Sequence, residues 1–320
     1  MTAIVPRALA RVARPMLAAC VMVCAPATAL AQGSSWSWLS WDVGESFFPG
    51  VPQPQFLEQQ LSFSRVRDAR DEKRQQLITE FAERGLTYPA AGIYLRAFKR
   101  ERVVEVWVRP LGRVHYTLFK AYPMCVLSGT LGPKRRQGDM QVPEGFYSLT
   151  YFNPTSEYYL SLGISYPNRA DRVRENDDAL GGDIFVHGGC RTIGCVPVTD
   201  DQMKEIYWLA VEARAAGQPE IPIHIFPTRL DEAGLDLLAA QFPGRRDLHE
   251  FWQNLHEGYH SFEQTLQVPL VAINRSGRYI FGEQAWLARL DAAETSAPLL
   301  GAPVDRQPPP PAPPGVTVWS

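Results

Sequence analysis

Residues 183–196, Asp-Ile-Phe-Val-His-Gly-Gly-Cys-Arg-Thr-Ile-Gly-Cys-Val, bring one histidine and two cysteines together in a short stretch. A thiol is a nucleophile only as its thiolate, so a base within reach is the first requirement. His187 could serve Cys190 or Cys195 in that way. Two glycines follow the histidine and Gly194 precedes the second cysteine, which permits close backbone approach beside both groups. Free N–H groups on such a turn could also receive an oxyanion. The bland alternative is a hydrogen-bonded core histidine with two small, buried, inert thiols. On chemistry alone, acyl transfer and core packing stand level.

The loop needs elements to hold it. Residues 183–187 read as a short apolar strand that ends on His187. β-rich alternation starts at Gly92 and runs through 93–98 and 103–108. Further strands are expected at 115–119, 124–127, 145–149, 158–162 and 221–226, with proline and glycine punctuation between them. Short strands at this spacing imply a sandwich or barrel rather than a βαβ sheet. A helix is expected at 200–215, with Asp200 and Asp201 near its start and Gly217 after its end. Residues 55–84 suit one or two amphipathic helices stopped by Gly85. Residues 230–241 and 247–264 also read as helical, and 270–281 as a hairpin around Asn274-Arg275-Ser276-Gly277. The expected class is α+β, a β-rich sandwich or barrel with flanking N- and C-terminal helices.

A second motif is literal. His256-Glu257-Gly258-Tyr259-His260 satisfies the H-E-x-x-H pattern of zinc metallopeptidase helices. His256 and His260 would share a face, with Glu257 as base. Against that remote reading, Gly258 weakens the helix by about 1 kcal/mol relative to alanine. No clear third ligand follows, Glu283 being a loose candidate, and His249 extends the pattern into an ordinary polar face. No metal is expected.

The start of the chain bears on the compartment. Arg7, Arg11 and Arg14 precede a largely apolar run from 15 to 28, and Ala29-Leu30-Ala31 supplies an A-x-A cleavage signal. A rival lipobox at Leu17-Ala18-Ala19-Cys20 leaves too few residues after Arg14 for an apolar core. A signal peptide at 1–31, cleaved after Ala31, and a periplasmic destination are therefore expected. Cleavage would remove three arginines and no acids, taking the formal charge from −2 to −5. No basic stripe suits nucleic acid. Cleavage would also leave Cys125, Cys190 and Cys195, an odd number for an oxidising compartment. A disulfide between Cys125 and Cys190 is one option that spacing cannot establish.

His187-Gly188, followed by Thr192-Ile193-Gly194-Cys195, resembles the L,D-transpeptidase catalytic domain, the YkuD-type family. Pro143-Glu144-Gly145-Phe146-Tyr147 is similar to that family's strand entry. Leu131-Gly132-Pro133-Lys134, leading to Gly138-Asp139, suits its branch with a short histidine-to-cysteine interval. The resemblance covers about residues 90–228. It implies Cys195 as nucleophile, His187 as general base and the Gly188 carbonyl as orienter of the ring. It further implies oxyanion stabilisation at the Cys195 N–H with help from Gly194, loop support from Thr192, and no cofactor. Cys190 matches no nucleophile slot. Two positions depart from the family pattern, since Ile193 stands where a histidine is usual and Pro197 where an arginine is usual. Arg191 or the run Lys134-Arg135-Arg136 could take over the carboxylate-binding task, although such a run is equally well a solvated loop.

The implied chemistry is exchange of peptide bonds in peptidoglycan stem peptides, through a thioester passed to an amine. With water as acceptor the same machinery becomes an amidohydrolase, and the short-interval branch raises release of a peptidoglycan-linked lipoprotein. A non-catalytic peptidoglycan-binding domain is the third class, and the intact pair of His187 and Cys195 argues against it. The expected organisation is a signal peptide at 1–31, an aromatic arm and helical segment at 32–88, and a catalytic domain at 89–228. A helical extension at 229–268, a hairpin and short helix at 269–302, and a proline-rich tail at 303–320 complete it.

Overall fold

The structure, a computed structural model, describes residues 51–175 and 180–296, with no side chains described for 291–296. The expected signal peptide, nearly all of the aromatic arm and the proline-rich tail lie outside the described residues.

The chain begins with helices α1 (Pro54–Leu61) and α2 (Ser64–Glu83). Val66, Ala69, Lys73, Leu77 and Phe81 of α2 are buried, and their three- and four-residue spacing puts them on one face. Five strands and a short helix follow: β1 (Gly92–Phe98), β2 (Val103–Arg109), β3 (Thr117–Pro123), β4 (Gly145–Asn153), β5 (Ser161–Ile164) and α3 (Arg169–Arg174). Next come β6 (Phe185–His187), β7 (Val196–Pro197), α4 (Asp200–Ala215) and β8 (Ile221–Phe226). The remainder is α5 (Glu232–Gln241), α6 (Arg246–Thr265), the hairpin β9 (Val271–Ile273) and β10 (Tyr279–Phe281), and α7 (Gly282–Ser296).

Strands β1 to β8 join one mixed sheet in the order β3-β2-β1-β8-β4-β5-β6-β7. The pairs β1–β8 and β6–β7 are parallel and the others antiparallel. Helices cover both faces, so the β-rich α+β expectation holds with one sheet whose facing layers are helical. Alternation along β1 shows how. Ile93, Leu95 and Ala97 enter the core shared with α2 and α4, while Phe98 packs with Phe146 and Phe226 beneath Trp252, Leu255 and Tyr259 of α6. Every residue of β1 is consequently buried.

One expectation about strands changes. The segments 115–119 and 124–127 are not two strands, because a single strand β3 spans Thr117–Pro123. It pairs with β2 through a register shift at Val106 and Trp107. β3 lies at the sheet edge, where Pro123 is tolerated because its missing N–H leaves no β2 acceptor unpaired, and the Met124 N–H still donates to the Arg102 carbonyl at 2.8 Å. The segment after it turns toward the loop of interest, where the Cys125 N–H donates to the Pro197 carbonyl at 3.3 Å.

A buried ion pair braces the loop between β3 and β4. Lys99 Nζ lies 2.9 Å from Glu144 Oε1, both side chains fully buried. The ammonium also donates to the carbonyls of Gly132 (2.7 Å) and Val142 (2.9 Å). Glu144 in turn accepts from the Gly132 N–H (2.7 Å) and from Trp252 Nε1 of α6 (2.8 Å). Two buried charges survive there because all three ammonium hydrogens and both carboxylate oxygens are engaged.

Candidate active site

Strands β5, β6 and β7 form the end of the sheet that carries His187 and Cys195. In register, His187 faces Ser161 of β5 on one side and Pro197 of β7 on the other. The flanking backbone is tied on both sides, with Gly188 N–H donating to the Leu160 carbonyl (3.2 Å) and Val198 N–H to the His187 carbonyl (2.9 Å). His187 is 2% exposed as a residue, and the Tyr158 ring lies against the imidazole with centroids 4.6 Å apart.

The ring has a defined tautomer. His187 Nδ1 lies 2.5 Å from the Gly188 carbonyl oxygen. A carbonyl can only accept, so Nδ1 carries the hydrogen and Nε2 keeps a free lone pair. Burial pushes the His187 pKa below its ordinary value, and the hydrogen bond to Gly188 opposes this. The neutral imidazole is therefore the resting form at neutral pH.

Cys195 sits at the far end of the same loop, half-buried and the free cysteine among the described residues. Burial pushes its thiol pKa up, and the nearby Asp183 carboxylate adds to that. A backbone hydrogen bond at Phe185 and the charge of Lys134 act the other way. The Sγ lies 3.6 Å from the Asp183 carbonyl oxygen, and no hydrogen bond joins it to His187 in this state. Thr192 shapes the approach to the cysteine, because its Oγ1 donates to the Cys195 carbonyl (2.9 Å) and accepts from the Gly194 N–H (3.1 Å). Gly194 has φ +141°, and a Cβ there would stand 2.9 Å from the Gln141 carbonyl oxygen, so only glycine fits.

His187 and Cys195 line one cleft of about 310 Å³, together with Asp183, Phe185, Tyr158 and Arg191. Thr192 and Ile193 line it as well, and Ile193 is 72% exposed at its lip. Arg191 is the sequence-selected cation that the structure brings to the cleft. Lys134 is buried and bound to Asp139 (2.6 Å) and the Arg136 carbonyl. Arg135 pairs with Glu175, while Arg136 is exposed. Tyr158 is not marked by the sequence, since nothing local identifies a tyrosine before β5 as a neighbour of the loop, and Asp183, four residues before His187, carries no motif of its own. Cys190 is joined to Cys125 in a disulfide with 5.5 Å between the Cα atoms. This answers the odd count of thiols and leaves Cys195 free.

The H-E-x-x-H segment has a structural use. His256 and His260 rings stack 5.3 Å apart on α6. His256 Nδ1 donates to the Leu230 carbonyl (2.6 Å), and Glu257 pairs with Arg278 of the hairpin. A Cβ on Gly258 would stand 2.5 Å from the rings of both Phe146 and Phe281, so the glycine lets the helix approach the sheet and hairpin. Among the described residues no group of three His, Cys, Asp or Glu side chains is placed to hold a metal ion.

A single mixed sheet with helices on both faces, carrying a histidine at a strand end and a free cysteine one tight loop later, defines an α+β domain of the cysteine–histidine type. The L,D-transpeptidase catalytic domain, YkuD, matches residues 95–217. YafK of Escherichia coli K12, classed with the L,D-transpeptidases, is 36% identical over 190 residues, covering 59% of this chain and 73% of that protein. YafK of Escherichia coli O157:H7 matches to the same extent. Among solved structures, the helical cell shape determining protein Pgp2 from Campylobacter jejuni aligns with a TM-score of 0.34 at 16% identity. That alignment covers 57% of this chain and 73% of Pgp2. Bd1075 of Bdellovibrio bacteriovorus aligns at 0.33 and 20% identity, over 65% and 72%. The chain belongs to the L,D-transpeptidase family, which acts on peptidoglycan.

Proposed function

We propose that this chain is an exported cysteine acyltransferase that forms a thioester with a peptidoglycan stem peptide and passes it to an amine. The observation that carries the reading is the shared cleft. In it a histidine, held by the Gly188 carbonyl with Nε2 free, accompanies the free Cys195. His187 Nε2 takes the thiol proton, and the thiolate attacks the substrate carbonyl carbon. The N–H of Cys195, aided by the backbone turn at Gly194, steadies the oxyanion. Collapse of that intermediate breaks the C–N bond, and the departing amine takes the proton back from His187. An acceptor amine then gives its proton to His187 as it attacks the thioester, which restores the thiol. No step needs a cofactor.

Arg191 is the cation available to a substrate carboxylate, since Lys134 is spent on Asp139 and Arg135 on Glu175. Export to the periplasm rests on the sequence signal at 1–31. The deciding experiment incubates the protein with free muropeptides, and separately with sacculi carrying bound protein, and identifies products by mass spectrometry. New crosslinks are the expected result. Release of the bound protein without crosslinks would replace transfer by hydrolysis, with water as acceptor. Products unchanged by Cys195→Ala would overturn the thioester itself.

A further inference from the structure

The turn that presents the Gly188 carbonyl to His187 is itself held from outside the loop. Asp200, the first residue of α4, accepts from the Gly189 N–H through Oδ1 at 2.7 Å. The same oxygen lies so close to Gly188 that a Cβ there would stand 2.5 Å from it. The Gly188 carbonyl and the Gly189 N–H belong to one peptide unit, so the carboxylate oxygen that accepts from Gly189 also sets the direction of the Gly188 carbonyl. Gly189 adopts φ +67°, which glycine reaches without strain. α4 is rooted without Asp200, because Thr199 and Gln202 form its capping box and Glu205, Tyr207 and Trp208 are buried. The helix can therefore act as a fixed post, with Asp200 as the strut reaching back to the loop.

We propose that Asp200 is a positioning residue for the reaction. It holds the Gly188 carbonyl so that His187 keeps its hydrogen on Nδ1 and its free lone pair on Nε2. It touches no substrate and acts only through the Gly188-Gly189 turn. The proposal rests on His187 being the base for Cys195. The bland role for an acid in the first turn of a helix is favourable interaction with the helix dipole, worth roughly 0.3–1 kcal/mol. That role would not move the protonation behaviour of Cys195.

Substrate-free alkylation of Cys195 separates the two. The full chain, kept free of reductant, is treated with iodoacetamide from pH 5 to 10, and the Cys195 adduct is followed by peptide mass spectrometry. Asp200→Ala is expected to slow labelling at pH 7 by about tenfold, with the gap to wild type narrowing toward pH 10 as hydroxide replaces the imidazole in taking the thiol proton. Asp200→Asn keeps an acceptor oxygen and is expected to restore the wild-type profile, with KM for stem peptide little changed in both variants. His187→Ala is the control for the underlying reading. If it leaves the profile unchanged, the base assignment fails. If it shifts the profile while folded Asp200→Ala does not, only the positioning role fails. An Asp200→Asn protein as slow as Asp200→Ala would also overturn the proposal.

Discussion

At the residue scale, the proposed mechanism makes demands on two ionisations. Burial holds the His187 pKa below the ordinary histidine value, so the neutral base persists to lower pH than a free histidine would allow. The acid limb of kcat/KM is therefore expected below the usual histidine range, and a pH–rate profile measures it directly. An acid limb above that range would mean that the imidazole is not the group being titrated. The thiol is pushed the other way by burial, so the resting pair is neutral and thiolate forms only with proton transfer. His187→Ala is expected to lower kcat by roughly 10²–10⁴-fold, the usual scale for losing a general base. Cys195→Ala should abolish turnover altogether. Cys190→Ala should retain part of it, because Cys190 is bound to Cys125 and offers no free thiol. A kinetic assay that ranks the two cysteine variants in the opposite order would sink the assignment.

At the scale of elements, the disulfide and Gly258 show what packing asks of the sequence. The Cys125–Cys190 bond spans 65 residues and clips the segment after β3 to the loop between β6 and β7. Removing it by Cys125→Ala together with Cys190→Ala is expected to cost about 2–4 kcal/mol in urea denaturation. Gly258→Ala sets two effects against each other. Alanine gains about 1 kcal/mol of helix propensity, but its Cβ would meet two aromatic rings at 2.5 Å. Overpacking of that kind typically costs roughly 1–3 kcal/mol, so net destabilisation is expected and a raised urea midpoint would contradict it. The sequence announced α4 plainly, since Asp200 and Asp201 mark its start and Gly217 follows its end. It announced β6 as well, because Phe185–His187 ends where the apolar run meets Gly188. β7, two residues long, and α3, six residues long, are too short for any period to show. Legible in the same way were His187, Cys195 and Arg191, which lie within one loop. Tyr158 reaches the cleft through the pairing of β5 with β6, and Lys134 was buried by a partner, Asp139, whose role a charge run cannot reveal.

At the scale of the whole molecule, buried titratable groups work against each other across mildly acidic pH. Burial lifts Glu212 to about 7 and Asp171 to about 6, so the folded protein holds protons there that the unfolded chain has lost. Their contribution to stability is present at low pH and is lost as pH rises through those values. His224 behaves in the opposite sense. Burial, aided by the charge of Arg96, lowers it to about 3, so the unfolded chain binds a proton that the folded one refuses. That contribution is lost as pH falls below the ordinary histidine value. Between about pH 4.5 and 6.5 the two carboxyl groups and His224 therefore drive the pH dependence of stability in opposite directions. Glu212 is the informative one to remove, because one of its carboxylate oxygens is buried without a partner. Glu212→Gln takes away one of the terms that fall with pH and leaves the histidine terms in place. The variant's stability is then expected to rise between pH 5 and 7, relative to wild type, by on the order of 1–2 kcal/mol. Urea unfolding at the two pH values measures the difference, and parallel curves for variant and wild type would show that Glu212 does not carry it.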